Sequence, residues 1–416
     1  MDSDIPSTGD QIELREPTGS ITPHVVLLGI QFVALCGPQF PARKWLTSAA
    51  IIGLSTAAHA NQYTDDMAFA HLFALAWPIY LLTLANFVFA SPGGPEADLW
   101  RIDRPPQEAA SMVPFSLQKS AWTLGAMTNL RGIRWSSETR NLPSRIKAGE
   151  KEGKMRFLLL QLVDFCWMFL MFDLVSQLGL RLFFIDPITG KPYVDSKGLS
   201  IRSDDLLWSL ARAFVYGAGP YFVTNMQYVA CSIVTVILGL SRPEDWPPLY
   251  GKLCEATTVR KFWSKFWHQM IRKGITSFST AFARSLGMKK GSTPYSYVHL
   301  WTAFAISGAF HAGSMLILPS PVNITLSERT VGILLYFLWQ ALAITLEDFV
   351  QWTWKQIFGP KSPGWSTGVG YVWVVCSFWF SLPLAGDVMA RIRLGQEPPL
   401  PSSVFTSLVE RVPLKP

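Results

Sequence analysis

Charge is scarce in this chain of 416 residues: Asp, Glu, Lys and Arg together make up 16%. An ordinary soluble domain carries about 25%, so a chain this poor in charge cannot clothe two or three soluble domains in a solvated surface. Cysteine is scarce as well. The five, at 36, 166, 231, 254 and 376, are scattered, which excludes both a disulfide framework and metal-ligand spacing. The chain also lacks a G-x-S-x-G elbow, a Walker A loop, an H-E-x-x-H pair and a Gly-rich dinucleotide fingerprint, so the common soluble hydrolase, nucleotide-binding and metalloprotease chemistries are excluded. No internal repeat and no long Gly/Ser linker divides it. The first 22 residues are polar and acidic (Asp2, Asp4, Asp10, Glu13, Glu16), unlike a cleavable signal peptide, and the first span is expected to act as the membrane signal itself.

What is abundant is apolar surface: 49% of the residues are hydrophobic, with 17 Trp and 27 Phe. Residues 68–90, "AFAHLFALAWPIYLLTLANFVFA", contain no charged side chain over a length that matches the ~20 residues a helix needs to cross the hydrocarbon. Further spans are expected at 25–40, 46–60, 157–180, 217–240, 297–318, 331–353 and 367–388. The apolar runs are unbroken and lack the alternation of a membrane barrel. The expected fold is therefore an all-α polytopic membrane protein of about eight transmembrane helices. Segments 203–216 and 255–285 look amphipathic and are expected to lie at the interface. A polar tail (1–23), a single multi-span domain (24–390) and a C-terminal tail (391–416) complete the organisation.

The net charge of +7 is unevenly placed. Residues 131–156 hold eight Lys/Arg against three acids and residues 242–290 hold ten against three, while 181–205 is balanced at four each. Two basic loops flanking a neutral one follow the positive-inside pattern, which argues for a membrane topology and against nucleic acid. The long stretches 91–156 and 241–296 are then cytosolic, where a soluble cosubstrate is met. The sequon Asn323-Ile324-Thr325 falls on the luminal side. Arg391 and Arg393 also fall there, against the rule.

Within this apolar background a few polar groups stand out. His311 lies in "AFAISGAFHAGS" (303–314), with Ser307 one turn before it, Ser314 nearly one turn after it, and Gly308 beside the same face. An ionisable residue at membrane depth is costly and rare. Two readings stand: a general base facing a cavity, or an interhelical hydrogen bond among small packing residues. In "RKFWSKFWHQMIRK" (260–273) a helix would place Phe262 over Phe266, Trp263 over Trp267 and Ser264 one turn before His268, amid Lys261 and Lys265. This reads either as an interfacial anchor or as a basic mouth that draws in a phosphate-bearing cosubstrate. "NLRGIRW" (129–135) offers a tight turn at Gly132 and two phosphate-binding groups, Arg131 and Arg134. Glu347 and Asp348, near a span end, suit a salt bridge to a loop cation. Asp164 and Asp173 are nine residues apart and do not share a helix face.

Together, "NLRGIRW", "FWSKFWHQ" (262–269) and "SGAFHAGS" (307–314) in that order resemble the wax-synthase-like branch of the membrane-bound O-acyltransferases. The likeness is nearest to the fungal members that acylate terpenoids and meroterpenoids, and it covers mainly residues 110–390. It implies acyl-CoA, most simply acetyl-CoA, as cosubstrate, a hydroxyl of a hydrophobic alcohol as acceptor, no bound cofactor or metal, and a multi-pass protein of the endoplasmic reticulum. It places His311 as catalytic base and His268 at the family's second polar position, an Asn or His, where it would orient substrate or donate to the oxyanion. Ser307, Gly308, Ser314, Trp263 and Trp267 are then expected around the substrate, and Arg131, Arg134, Trp135, Lys261 and Lys265 around acyl-CoA. The rivals are a wax or sterol ester synthase using long acyl chains, a transporter in which intramembrane His and Asp relay protons, and a membrane scaffold. A helix entering near residue 297 puts His311 roughly 21 Å deep, so His268 needs a segment that dips into the membrane or a span that starts later.

Overall fold

A computed structural model describes residues 12–143, 153–359, 363–397 and 402–414. The first eleven residues of the N-terminal tail, part of the first basic loop (144–152) and parts of the C-terminal tail lie outside the described residues.

The described residues form fifteen α-helices. A hairpin of α1 (Thr22–Cys36) and α2 (Arg43–Ala60) is followed by α3 (Met67–Ala74) and α4 (Trp77–Val88). The apolar run 68–90 is thus one span broken at 75–76, where Pro78 opens the second piece. On the basic face lie the short turns α5 (Pro95–Asp98) and α6 (Glu108–Ser111), then α7 (Leu117–Thr128). Glu96 on α5 accepts from Arg43 at 2.8 and 2.6 Å and from Lys119 at 3.3 Å, all three buried, which ties α2, α5 and α7 together. Burial alone would raise the Glu96 pKa, but the two cations beside it bring it below the ordinary carboxylate range.

The long pair α8 (Lys154–Phe183) and α9 (Leu206–Ile237) runs antiparallel, joined by Gln161 Nε2 to Ser232 Oγ at 2.7 Å near one end and by Arg212 donating to the Leu182 carbonyl at the other. Residues 206–216 are the first third of α9. The interfacial helix expected at 203–216 is therefore part of a 32-residue helix, capped by Asp205 through Trp208 N at 3.0 Å and continuing through Gly217, Gly219 and Pro220 into the apolar run.

The expected amphipathic helix over 255–285 is two pieces. It starts as one turn, α10 (Val259–Lys261), widens into a π turn (Phe262–Phe266), becomes extended at Trp267, and restarts as α11 (Arg272–Ser285). Three long helices complete the bundle: α12 (Thr293–Ser314), α13 (Leu326–Phe358) and α14 (Ser366–Arg391), with a final turn, α15 (Thr406–Val409). Among the described residues, four helical stretches are long and apolar enough to cross a membrane: Met67–Val88, Lys154–Phe183, Leu326–Phe358 and Ser366–Arg391.

Arginines close the face opposite the basic loops. Arg393 donates to Ser196 Oγ and to the carbonyls of Tyr193 and Val194 at 2.7 to 3.1 Å, so this arginine is a buried clamp. Arg329, in the first turn of α13, donates to the carbonyls of Met315, Leu316 and Leu318, groups left without helical partners behind α12.

Candidate functional site

Both histidines open onto one cavity of about 1750 Å³, whose wall is overwhelmingly apolar. At the basic face its mouth is lined by Trp100, Arg101, Arg104, Asp245 and Trp246, and at the other end it reaches Leu394 and Glu397.

His311 sits in the last turn of α12. Its Nδ1 lies 2.8 Å from the Ser307 carbonyl oxygen. A carbonyl oxygen only accepts, so Nδ1 carries the proton and the neutral ring keeps its lone pair on Nε2. Trp77 edge-on at 5.0 Å and Phe337 at 4.5 Å hold the imidazole between them. Among the described residues His311 makes no interhelical hydrogen bond: its bond is to its own helix.

His268 comes from the broken segment. Trp263 packs against Phe304 and Phe337, and Val259 against Ala343, Ile344 and Val374, so the segment enters the helical core at the mid-depth of α13. Of the two ways to bring His268 to the depth of His311, the structure has the entering segment, since α12 starts at Thr293 and not later. Phe337 contacts both His311 and Trp263, and so brings the two sites to the same level. Irregular backbone at such depth survives only where its polar groups find partners. Here Trp267 N bonds Phe262 O at 2.8 Å, Gly251 N bonds Phe266 O at 2.8 Å, and the buried Gln269 side chain donates to the carbonyls of Trp263 and Trp267 at 2.9 and 2.5 Å. The Nδ1 of His268 is buried and meets no hydrogen-bond partner among the described residues. That nitrogen is sealed off from the cavity, so the residue meets the cavity through the rest of its ring.

Ser314, Trp263, Trp267, Arg131 and Trp135 also line the cavity. Ser314 Oγ is turned back onto the His311 carbonyl at 2.7 Å. The aromatic pairs expected from helical spacing are present, Phe262–Phe266 at 5.2 Å and Trp263–Trp267 at 5.8 Å, although the π turn brings them together. Ser307 and Gly308 lie outside the cavity wall. Ser307 acts on it through the carbonyl that fixes His311, and Gly308 lets α12 approach α13, where an added Cβ would come within 3.0 Å of Leu334 and 3.1 Å of Phe337.

The "NLRGIRW" loop has a structural explanation. Arg131 is buried, donating to the carbonyls of Pro247 and Pro248 at 2.9 and 2.8 Å and to the Tyr228 hydroxyl, so its guanidinium is spent joining the loop to α9 and to the cavity mouth. Gly132 adopts φ +61°, and a Cβ there would stand 2.6 Å from the Ser137 oxygen, so only glycine fits the turn. Trp135 is buried against Trp122. Arg134 lies off the cavity, shared among Asp103, Glu244 and Asp245 at 3.5 to 4.0 Å. Lys261 and Lys265 are exposed and also off the wall, reaching Thr257 at 2.8 Å and Glu255 at 3.7 Å. None of the three forms the cavity mouth: Arg134 is held by the three acids, and the two lysines lie on the outer side of the broken segment.

The spacing argument missed the acid that serves the dipping turn. Asp348 does pair with Arg260, at 2.5 Å, as expected of a span-end acid. The buried Glu347 instead accepts from backbone: Val259 N, Arg260 N at 3.1 Å and the Trp373 indole at 2.9 Å. Asp173 bonds Ser403 Oγ at 2.6 Å, away from either histidine.

Comparison with known proteins follows the same division of the chain. Residues 246–339, holding both histidines, match the membrane bound O-acyl transferase family, and residues 153–237, the α8–α9 pair, match the C-terminal domain of aspirochlorine biosynthesis protein F. The chain is similar to aspirochlorine biosynthesis protein F of Aspergillus oryzae, 46% identical over 232 residues, 56% of this chain and 90% of that protein. It is also similar to acetyltransferase ataH of Aspergillus terreus, 33% identical over 59% of this chain and 82% of that protein, and to acetyltransferase ple2 of Rhodocybe pseudopiperita, 27% identical over 87% and 89%. A helical membrane protein with His268 and His311, beside His71, on one apolar cavity, matched in this way, belongs to the membrane-bound O-acyltransferase family, in its branch of fungal acetyltransferases of secondary metabolism, and is an O-acyltransferase.

Proposed function

We propose that the enzyme transfers an acetyl group from acetyl-CoA to a hydroxyl of a hydrophobic terpenoid or meroterpenoid intermediate. Family membership removes the transporter and scaffold readings. The observation that carries the chemistry is the His311 ring, whose Nδ1 is bonded to the Ser307 carbonyl and whose Nε2 is left as the base. Nε2 takes the acceptor hydroxyl proton as the oxygen attacks the thioester carbonyl. The C–S bond then breaks, and the thiolate leaves with the proton that His311 returns. His268 orients the acceptor or donates to the developing oxyanion. Arg101 and Arg104, at the cavity mouth, are the cations within reach of CoA phosphates, each also paired with a neighbouring carboxylate.

The enzyme works on this reading as one catalytic unit, residues 24–390, with about eight spans in the endoplasmic reticulum membrane and its basic face in the cytosol. One observation favours a second reading of the acceptor. The 46% identical relative is named for aspirochlorine biosynthesis, so an intermediate of a similar pathway is the alternative alcohol. A long-chain wax or sterol ester activity is the third.

The test uses membranes containing the full chain, with acetyl-CoA and palmitoyl-CoA offered against terpenoid, sterol, long-chain and aspirochlorine-type alcohols. Acetyl ester of a terpenoid alcohol, absent with His311→Ala at matched protein level, is the expected result. Ester formed only from palmitoyl-CoA would assign a wax or sterol synthase instead.

A further inference from the structure

The dipping turn poses a problem that its own residues do not solve. A helix that begins inside a low-dielectric core leaves its first N–H groups without partners, and each unmade bond there costs about 1–3 kcal/mol. Thr258 Oγ1 accepts only one of them, Lys261 N at 3.0 Å. The N–H groups of Val259 and Arg260 both point at the carboxyl of Glu347, 88 and 87 residues further along the chain on α13. The same carboxyl accepts the Trp373 indole of α14 at 2.9 Å, so three donors from two elements converge on one buried acid.

From that anchor the path to His268 is short and rigid. The anchored turn runs straight into the π turn at Phe262, the ring of Trp263 bonds Gln340 Oε1 at 3.2 Å about two turns away along the same α13, and Gln269 pins the carbonyls of Trp263 and Trp267, both just ahead of the histidine. Phe337, again on α13, packs on the His311 ring. One helix therefore sets where both imidazoles stand, and the carboxyl is its only acceptor for the start of the turn among the described bonds.

We propose that Glu347 is a positioning residue of the transferase, acting through His268 by holding the N-terminus of the dipping turn. The proposal rests on the reading that His268 serves the reaction. Glu347 touches neither donor nor acceptor, and its work is to keep His268 at the depth and angle at which it faces the cavity. An amide in its place has one acceptor oxygen for three donors and turns an N–H₂ toward an N–H.

The experiment is a double-mutant cycle on the full chain in membranes, with Glu347→Gln, His268→Asn and the double variant at matched protein level. His268→Asn keeps a polar group and a measurable rate. Glu347→Gln is expected to lower kcat at least tenfold with the KM for acetyl-CoA within threefold, and to cost less than threefold once His268 is Asn. Amide exchange, measured by mass spectrometry, is expected to quicken across 259–268 and to stay unchanged in α12. Equal losses in both backgrounds, or unaltered exchange in the turn, would overturn the proposal. A wild-type rate for His268→Asn alone would remove His268 from the reaction, a separate result read from a separate variant. If Glu347→Gln does not accumulate, Glu347→Asp replaces it in the same cycle: it keeps the carboxyl but falls one methylene short of the turn, and the same outcomes decide.

Discussion

The two histidines are held in opposite ways. His311 stands on a regular helix, and the group that fixes its ring is the carbonyl four residues earlier. His268 stands on an interrupted segment, and besides the local bonds of Gln269 and Trp267 N its supports come from Gly251, Glu347, Gln340 and Trp373, up to about a hundred residues away. A local arrangement survives loss of a side chain nearby, because backbone supplies the bond. A distant arrangement depends on each partner, because none of them is replaceable by the turn itself.

That contrast orders the expected effects. On the proposed mechanism His311→Ala removes the base and should lower turnover by about 10² to 10⁴-fold with the protein still folded, measured as ester formed per enzyme in membranes. A loss under tenfold would return His311 to packing. Next comes Gly251→Ala. The added Cβ would run into the Lys265 carbonyl, so the dipping turn must move. Overpacking of this kind costs about 1–3 kcal/mol, and kcat should fall at least tenfold with a lowered thermal midpoint in detergent. A wild-type rate would show that the His268 turn tolerates displacement.

Ser307→Ala should do little, within threefold of the wild-type rate, since the carbonyl and not the hydroxyl orients the base. A large loss would assign the 3.4 Å contact from Ser307 Oγ to Nδ1 a role that the backbone bond does not cover. Smallest of all, Lys261→Ala with Lys265→Ala should leave the KM for acetyl-CoA within twofold, because both ammonium groups lie off the cavity. A clear rise would place the CoA entrance on the outer side of the turn.

The same contrast explains what sequence makes legible. Spans α8, α13 and α14 stand within a few residues of where apolar runs put them, since burial in lipid writes itself into composition. His311 was legible too: a polar residue, its serine and its small neighbours share one helical face, and periodicity exposes that. Residues 203–216 misled because an amphipathic start and an apolar finish belong to one long helix. The π turn at 262–266 was hidden by aromatic spacing that fits an α-helix as well. Lys261, Lys265 and Arg134 were drawn to the cosubstrate by their charge alone, while the break in the segment and the acids at 103, 244 and 245 turn them elsewhere. Nothing local distinguishes Glu347 from Asp348. One bonds backbone and the other pairs with Arg260, a difference decided by which side of α13 meets the turn.

The size of the cavity carries a cost for the chemistry. At about 30 Å³ per molecule in the liquid, 1750 Å³ is room for about sixty waters, and water is itself a nucleophile toward a thioester. On the proposed reading the donated acetyl group leaves nearly all of that space unfilled, so the acceptor is the body that dries the chamber. Selectivity against hydrolysis then belongs to the alcohol's bulk as much as to His311. Acetyl-CoA given alone should release free thiol slowly, and a bulky ether with no hydroxyl should suppress that release without yielding any ester.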